Sequence, residues 1–138
     1  MIDITAEVET WPGVSTAPHR FAGREFTVGG REIGHLHGEW QVDVPLTRRL
    51  RDALVEEGVA SPHHVHPESG WVTYYLDSEA GTRGAVWLLR LSYLRHVRAL
   101  QRRDDAPPEV EAVDVGAVVD RLNPSAAVRE ALGVGTVT

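Results

Sequence analysis

Between Arg24 and Leu76 apolar residues recur at every second position over three short stretches, the period of a half-buried strand. Arg24 to Val28 puts Phe26 and Val28 on one face. Gly29-Gly30 then signals a tight hairpin, because glycine accepts the positive φ that such turns require. The chain returns as a strand from Ile33 to His37. Alternate side chains on a strand share a face, so Ile33, His35 and His37 are expected on one side and Gly34, Leu36 and Gly38 on the other. Trp40 to Leu46 reads as a third strand, with Trp40, Val42 and Val44 opposite Gln41 and Asp43; Pro45 ends it, since proline cannot donate to the ladder. Trp71 to Leu76, rich in aromatic and β-branched residues, is a further strand.

Elsewhere the period lengthens to that of a helix. Thr47 is a natural N-cap for a helix to Glu57, Gly58 its C′ residue, and Leu50, Ala53 and Leu54 its apolar face. Glu79 to about Arg102 is the longest helix; Ala85, Leu88, Leu89, Ser92 and His96 form one stripe, widened by Leu91 and Leu94 until the helix reads as the main core element. Ile2 to Val8 fits a short helix or strand, and Trp11-Pro12-Gly13-Val14 a turn. Residues 63–66 read as loop or short strand. The expected architecture is α+β: an antiparallel sheet of about four to five strands with helices packed on it. Residues 1–102 make one domain. Residues 103–138 form a linker and a short amphipathic helical tail, its Val113–Leu122 and Ser125–Leu132 patterns split by Asn123-Pro124.

Composition narrows the function classes. The chain has no Cys, which removes thiolate metal sites, cysteine nucleophiles and disulfides. The net charge is −6 and all 14 basic residues are Arg, so nucleic acid is disfavoured and no lysine serves as a Schiff base. No apolar run approaches a membrane span, and the N-terminus lacks the basic and apolar regions of a secretion signal; the expected location is cytoplasmic, with no membrane partner. Neither a Gly-x-Ser-x-Gly elbow nor a phosphate-binding glycine pattern is present. A protein partner would meet the 103–138 tail.

Five of the seven histidines fall within residues 35–66. His35 and His37 share a strand face, close enough to share a metal. Asp43 fits a third ligand, an acceptor fixing an imidazole tautomer, or a carboxylate favoured near the start of the Thr47 helix. His63, His64 or His66 would complete the set from the following loop, for Zn, Fe, Ni or Cu. Without a metal, His35, His37, Asp43, His63 and His64 are candidate acid–base residues, and with one, His35, His37 and His63 are its expected ligands. Trp71 beside the histidine loop suits an aromatic ligand, and Ser92 and Tyr93 are further candidate binding residues. The competing reading of each is structural: histidines on half-buried strands donate to carbonyls, and Trp71 anchors a core.

Several linked motifs resemble one family. They are Glu25-Phe26-Thr27-Val28-Gly29-Gly30-Arg31-Glu32-Ile33-Gly34-His35-Leu36-His37-Gly38, Asp43-Val44-Pro45-Leu46, His63-His64, Ser69-Gly70-Trp71-Val72 and Leu88-Leu89-Arg90-Leu91-Ser92-Tyr93-Leu94-Arg95. Over roughly residues 10–98 the chain is similar to the small bacterial proteins of the luciferase-domain family, named for their similarity to fungal luciferase. That enzyme oxidises a hydroxylated pyrone with molecular oxygen. The resemblance implies a pocket of His35, His37, Asp43, His63, His64 and Trp71, and it requires no cofactor, though a transition metal fits the residue types. More loosely the chain resembles MmcQ/YjbR-like domains, which share the Pro-Gly-Val opening, the Phe-x-Val-Gly-Gly-Arg hairpin and the Gly-Trp-Val strand; that implies an α+β fold and a non-enzymatic module contacting protein or DNA.

Overall fold

The computed structural model describes residues 3–19, 23–38, 40–77 and 79–134. The chain is α+β. Helix α1 (Ile4–Glu9) leads into β1 (Val14–His19), β2 (Gly23–Val28), β3 (Arg31–His37) and β4 (Gln41–Pro45), then α2 (Arg48–Glu56), β5 (Ser61–Pro62), β6 (Trp71–Tyr75), the long α3 (Glu79–Gln101), and the short α4 (Pro108–Glu111), α5 (Val115–Leu122) and α6 (Ala126–Leu132). The sheet has six antiparallel strands in the order β1-β2-β3-β4-β6-β5. Six is slightly above the expected four to five, and the two strands that the residue pattern does not name, β1 and β5, lie at its edges. β1 carries Pro18, which an edge strand tolerates, and β5 is only two residues long. Ile2 and residues 135–138 lie outside the described residues.

Local chemistry explains the turns. Gly29 and Gly30 take φ +55° and +80°, closing the β2–β3 hairpin. Thr47 caps α2, its hydroxyl accepting from Leu50 N at 3.1 Å. Asn123 ends α5 in the left-handed region, and Pro124 follows.

The β2–β3 ladder carries one irregularity. Phe26 pairs with Gly34 but Thr27 pairs with Glu32, so Ile33 is the extra residue of a β-bulge. Strict alternation expects Ile33 beside His35; the bulge turns it into the core instead, fully buried, and lets Glu32 reach the histidine face. Gly34, on the helix side, is required by packing: a Cβ there would collide with Leu89 Cδ2 of α3. Trp40 precedes β4 and is 62% exposed, so it is not part of that strand's buried face.

Helix α3 lies over one face of the sheet and is at least partly buried on nearly every side, its arginines lying among apolar residues. Leu88, Leu89, Leu91, Leu94 and Val97 are fully buried; each such burial is worth about 1.5–3 kcal/mol. Helices α1, α4 and α5 touch α3 as well. Trp87 Nε1 donates to Leu122 O at 3.3 Å, Gln101 Nε2 to Val110 O and Val113 O at 3.0 and 2.9 Å, and Arg98 Nη1 to Leu132 O at 2.6 Å. Val110, Val119 and Val128 are fully buried in the same core. No helix among the described residues is long and apolar enough to cross a membrane.

Candidate functional site

The other face of the sheet is polar. His35 on β3, Asp43 on β4 and Thr73 on β6 stand directly across from one another, and Glu25 on β2 continues the row. One step along lies the row His37, Gln41 and Tyr75. β4 is central, so Asp43 is fully buried although its neighbours reach the surface. From the β5 edge, the loop after that strand brings His63 and His64 back over Asp43.

Asp43 is the hub. Its Oδ1 accepts from Thr73 Oγ1 at 2.7 Å and Gln41 Nε2 at 3.2 Å. Around Oδ2 lie four imidazole nitrogens: His37 Nε2 at 2.7 Å, His64 Nε2 at 3.3 Å, and His35 Nε2 and His63 Nε2 each at 3.4 Å. His35 Nε2 is also 3.0 Å from His37 Nε2, and its Nδ1 is 2.8 Å from Glu32 Oε2. His63 Nδ1 accepts from Val65 N and His66 N at 3.1 and 3.0 Å. A neutral imidazole so engaged carries its proton on Nε2, and His63 therefore donates toward Asp43.

The charges follow from these contacts. Burial works against ionising Asp43, yet hydrogen bonds from His35, Thr73 and His37 and the nearby His63 outweigh it and hold the carboxyl well below the usual range. Burial likewise disfavours protonated His35, but hydrogen bonds to Asp43 and Glu32, with their charges, raise its pKa to about 9. Burial pushes His63 down, and the proximity of His64 and His66 adds to it.

Aromatic rings wall the cluster. His35 is stacked on His19 at 4.3 Å and lies 5.4 Å from the Trp71 ring; His63 is 6.0 Å from Trp71. Tyr75 and Val65, two of the exposed large apolar side chains, sit on the same sheet face and on the covering loop.

His35, His37, Asp43, His63, His64 and Trp71 are thus brought together, but Ser92 and Tyr93 are not. Both are buried on α3, across the sheet from the histidines; Ser92 Oγ donates to Pro45 O at 3.2 Å and Tyr93 Oη to Pro12 O at 2.6 Å. A cavity of about 360 Å³ likewise lies elsewhere, between α1, α3 and α5, against Trp11, Trp87, Arg90 and Arg121. Glu32, Thr73, Gln41 and His19 are the site residues that pattern reading misses. The alternation of Val14 and Thr16 in β1 is a weak signal for the strand that carries His19, while Glu32 depends on the bulge, which leaves no mark in the residue pattern. For a metal, two overlapping donor sets exist among the described residues, His35–His37–Asp43 and Asp43–His63–His64, each with its atoms within 4.8 Å of one another.

Residues 30–92, which contain the whole cluster except His19, match the family model of the luciferase domain. Over this stretch, a little under half of the chain, the sequence is similar to the luciferase domain. The match supports the first of the two resemblances, and nothing in it supports the MmcQ/YjbR-like one. No curated protein and no solved structure matches the chain. The matched stretch spans β3 through the middle of α3, so it includes the central strands β3, β4 and β6, the histidine loop and the helix that backs them.

Proposed function

We propose that this luciferase domain binds a small hydroxylated heteroaromatic ligand of the pyrone type and presents it for oxidation by dioxygen. The observation that carries the reading is the fully buried Asp43 carboxylate ringed by four imidazoles beside the Trp71 indole. An acidic hydroxyl meets the imidazoles, which accept its proton, and the ionised Asp43 carboxylate stabilises the imidazolium that results. The flat ring lies against Trp71, whose face suits stacking. Tyr75 and Val65 give the rim apolar contact.

The test is quenching of tryptophan fluorescence by a hydroxylated pyrone, alongside oxygen uptake in an electrode cell. Saturable quenching that is lost in Trp71→Phe, with oxygen uptake lost in Asp43→Asn, is expected. Quenching without oxygen uptake would make the protein a binding module and remove the oxidative half of the proposal. The absence of saturable quenching at millimolar pyrone removes the whole of it.

A further inference from the structure

His35 Nε2, His37 Nε2 and Asp43 Oδ2 form a triangle with edges of 3.0, 2.7 and 3.4 Å. Protons alone do not satisfy all three edges. An ionised carboxylate only accepts; if His37 alone turns an N–H toward Oδ2, the bare Nε2 of His35 opposes the carboxylate at 3.4 Å, and the other choice is an N–H from each imidazole. The two N–H groups then face each other across 3.0 Å. If His37 instead turns a bare Nε2 toward His35, its lone pair opposes the carboxylate oxygen 2.7 Å away. A cation among the three removes the conflict, because it takes a lone pair from each. Atoms bound ~2.0–2.2 Å from one ion lie ~3.0–3.5 Å apart, and the triangle needs little adjustment to reach that.

The surroundings are those of a ligand set. His35 Nδ1 faces the Glu32 carboxylate, which orients the ring and leaves Nε2 to bind. Asp43 Oδ1 is held by Thr73 and Gln41, which aims Oδ2 at the imidazoles. His63 is not a donor, since Val65 N and His66 N occupy its Nδ1 lone pair and its proton is on Nε2. His64, with 41% of its side chain exposed, stands at the rim.

We propose that His35, His37 and Asp43 hold one divalent first-row transition ion through two imidazole nitrogens and one carboxylate oxygen, with its remaining positions open. Two histidines and a carboxylate with open positions is the donor set of non-haem Fe(II) centres. The inference rests on the oxidative reading for the ion's use and not for its binding.

The experiment is an anaerobic titration of the full-length chain, prepared without a histidine tag, with Co(II). One equivalent binds, with the visible bands of a protein-bound cobalt ion and a rise in melting temperature. His37→Gln lowers the affinity at least a hundredfold, Glu32→Gln about 10–100-fold, and His66→Gln leaves it unchanged. Uptake well below one equivalent by the folded wild type overturns the inference, as does one equivalent that survives His35→Gln/His37→Gln. If that double variant does not fold, the wild-type stoichiometry and the Glu32→Gln shift decide. Pyrone quenching that persists in chelator-treated protein without cobalt uptake overturns the metal site alone; cobalt uptake without pyrone quenching overturns the ligand reading alone.

Discussion

His96 shows what a buried histidine outside the cluster does. It lies on α3, 4% exposed. Its Nδ1 donates to Ser92 O at 2.7 Å and its Nε2 accepts from Arg95 Nη1 at 2.8 Å. Both nitrogens are satisfied only in the neutral ring; a second proton would meet a guanidinium. Burial, with Arg95 and Arg31 nearby, therefore lowers its pKa from 6.5 to about 4, against the pull of Ser92 O and Glu32. The unfolded chain binds a proton near pH 6.5 that the folded one refuses until about pH 4, so this contribution is complete above pH 6.5 and is lost as pH falls through that window, by about 3 kcal/mol at most. Urea unfolding at pH 7 and pH 4.5 should show His96→Gln losing less stability on acidification than the wild type; equal losses would sink the assignment. Taking the difference between the two proteins at each pH removes the other histidines from the comparison. The same residue shows the limit of pattern reading. Its place on the α3 stripe was legible, as was the pairing of His35 with His37, because both follow from period alone. Which nitrogen carries a proton was not, because even partners this close in sequence, Arg95 for His96 and Val65 N for His63, are chosen by rotamer and loop conformation, which the residue pattern does not give.

At the scale of elements, period and turn chemistry carried most of the information. The Gly29-Gly30 hairpin, the Thr47 cap and the long helix were all readable because each depends on neighbours in sequence. The bulge at Ile33 was not, since it depends on register against β2. Its effect on the site is direct: without the extra residue Glu32 would sit on the helix side and His35 would lose its carboxylate partner. Gly34 is where this strand meets α3. A methyl group there would strike Leu89 and lie close to Asp43 O, so Gly34→Ala should cost about 1–3 kcal/mol. Leu89→Ala alone should cost about 2–5 kcal/mol through the cavity it leaves. Because the added methyl fills part of that cavity, the double variant should be less destabilised than the sum of the two. Strict additivity in denaturant melts would mean that Leu89 is not what excludes a side chain at position 34.

For the molecule as a whole, the question is what holds α3 on its second side. One side rests on the sheet that carries the histidines; the other receives α1, α4 and α5, while α6 packs on α2 and meets α3 through Arg98 and Leu132 O. Three of the four arginines of α3 are turned to this internal work: Arg90 lies 4.6 Å over the Trp11 ring, Arg95 meets His96, and Arg98 binds Leu132 O. Ser125 Oγ reaches Glu57 Oε2 at 2.7 Å, tying α6 to the end of α2. Removing residues 104–138 would expose the Trp87 side of α3 and discard Val110, Val118, Val119, Val128 and Leu132, all buried. At about 1.5–3 kcal/mol per buried side chain, that apolar burial is comparable with the ~5–15 kcal/mol that separates folded from unfolded for a whole domain. The ordering entropy of the segment offsets part of it, but the uncovered face of α3 has no such compensation. A chain ending at Arg103 should therefore melt more than ~10 °C below the full chain, a loss of roughly 3 kcal/mol or more, or precipitate on purification. It should also lose the ordered histidine site, because Leu89 and Leu88 position the sheet from behind. An unchanged melting temperature for the truncated chain would show that residues 1–103 fold alone and that the C-terminal helices are dispensable to the site.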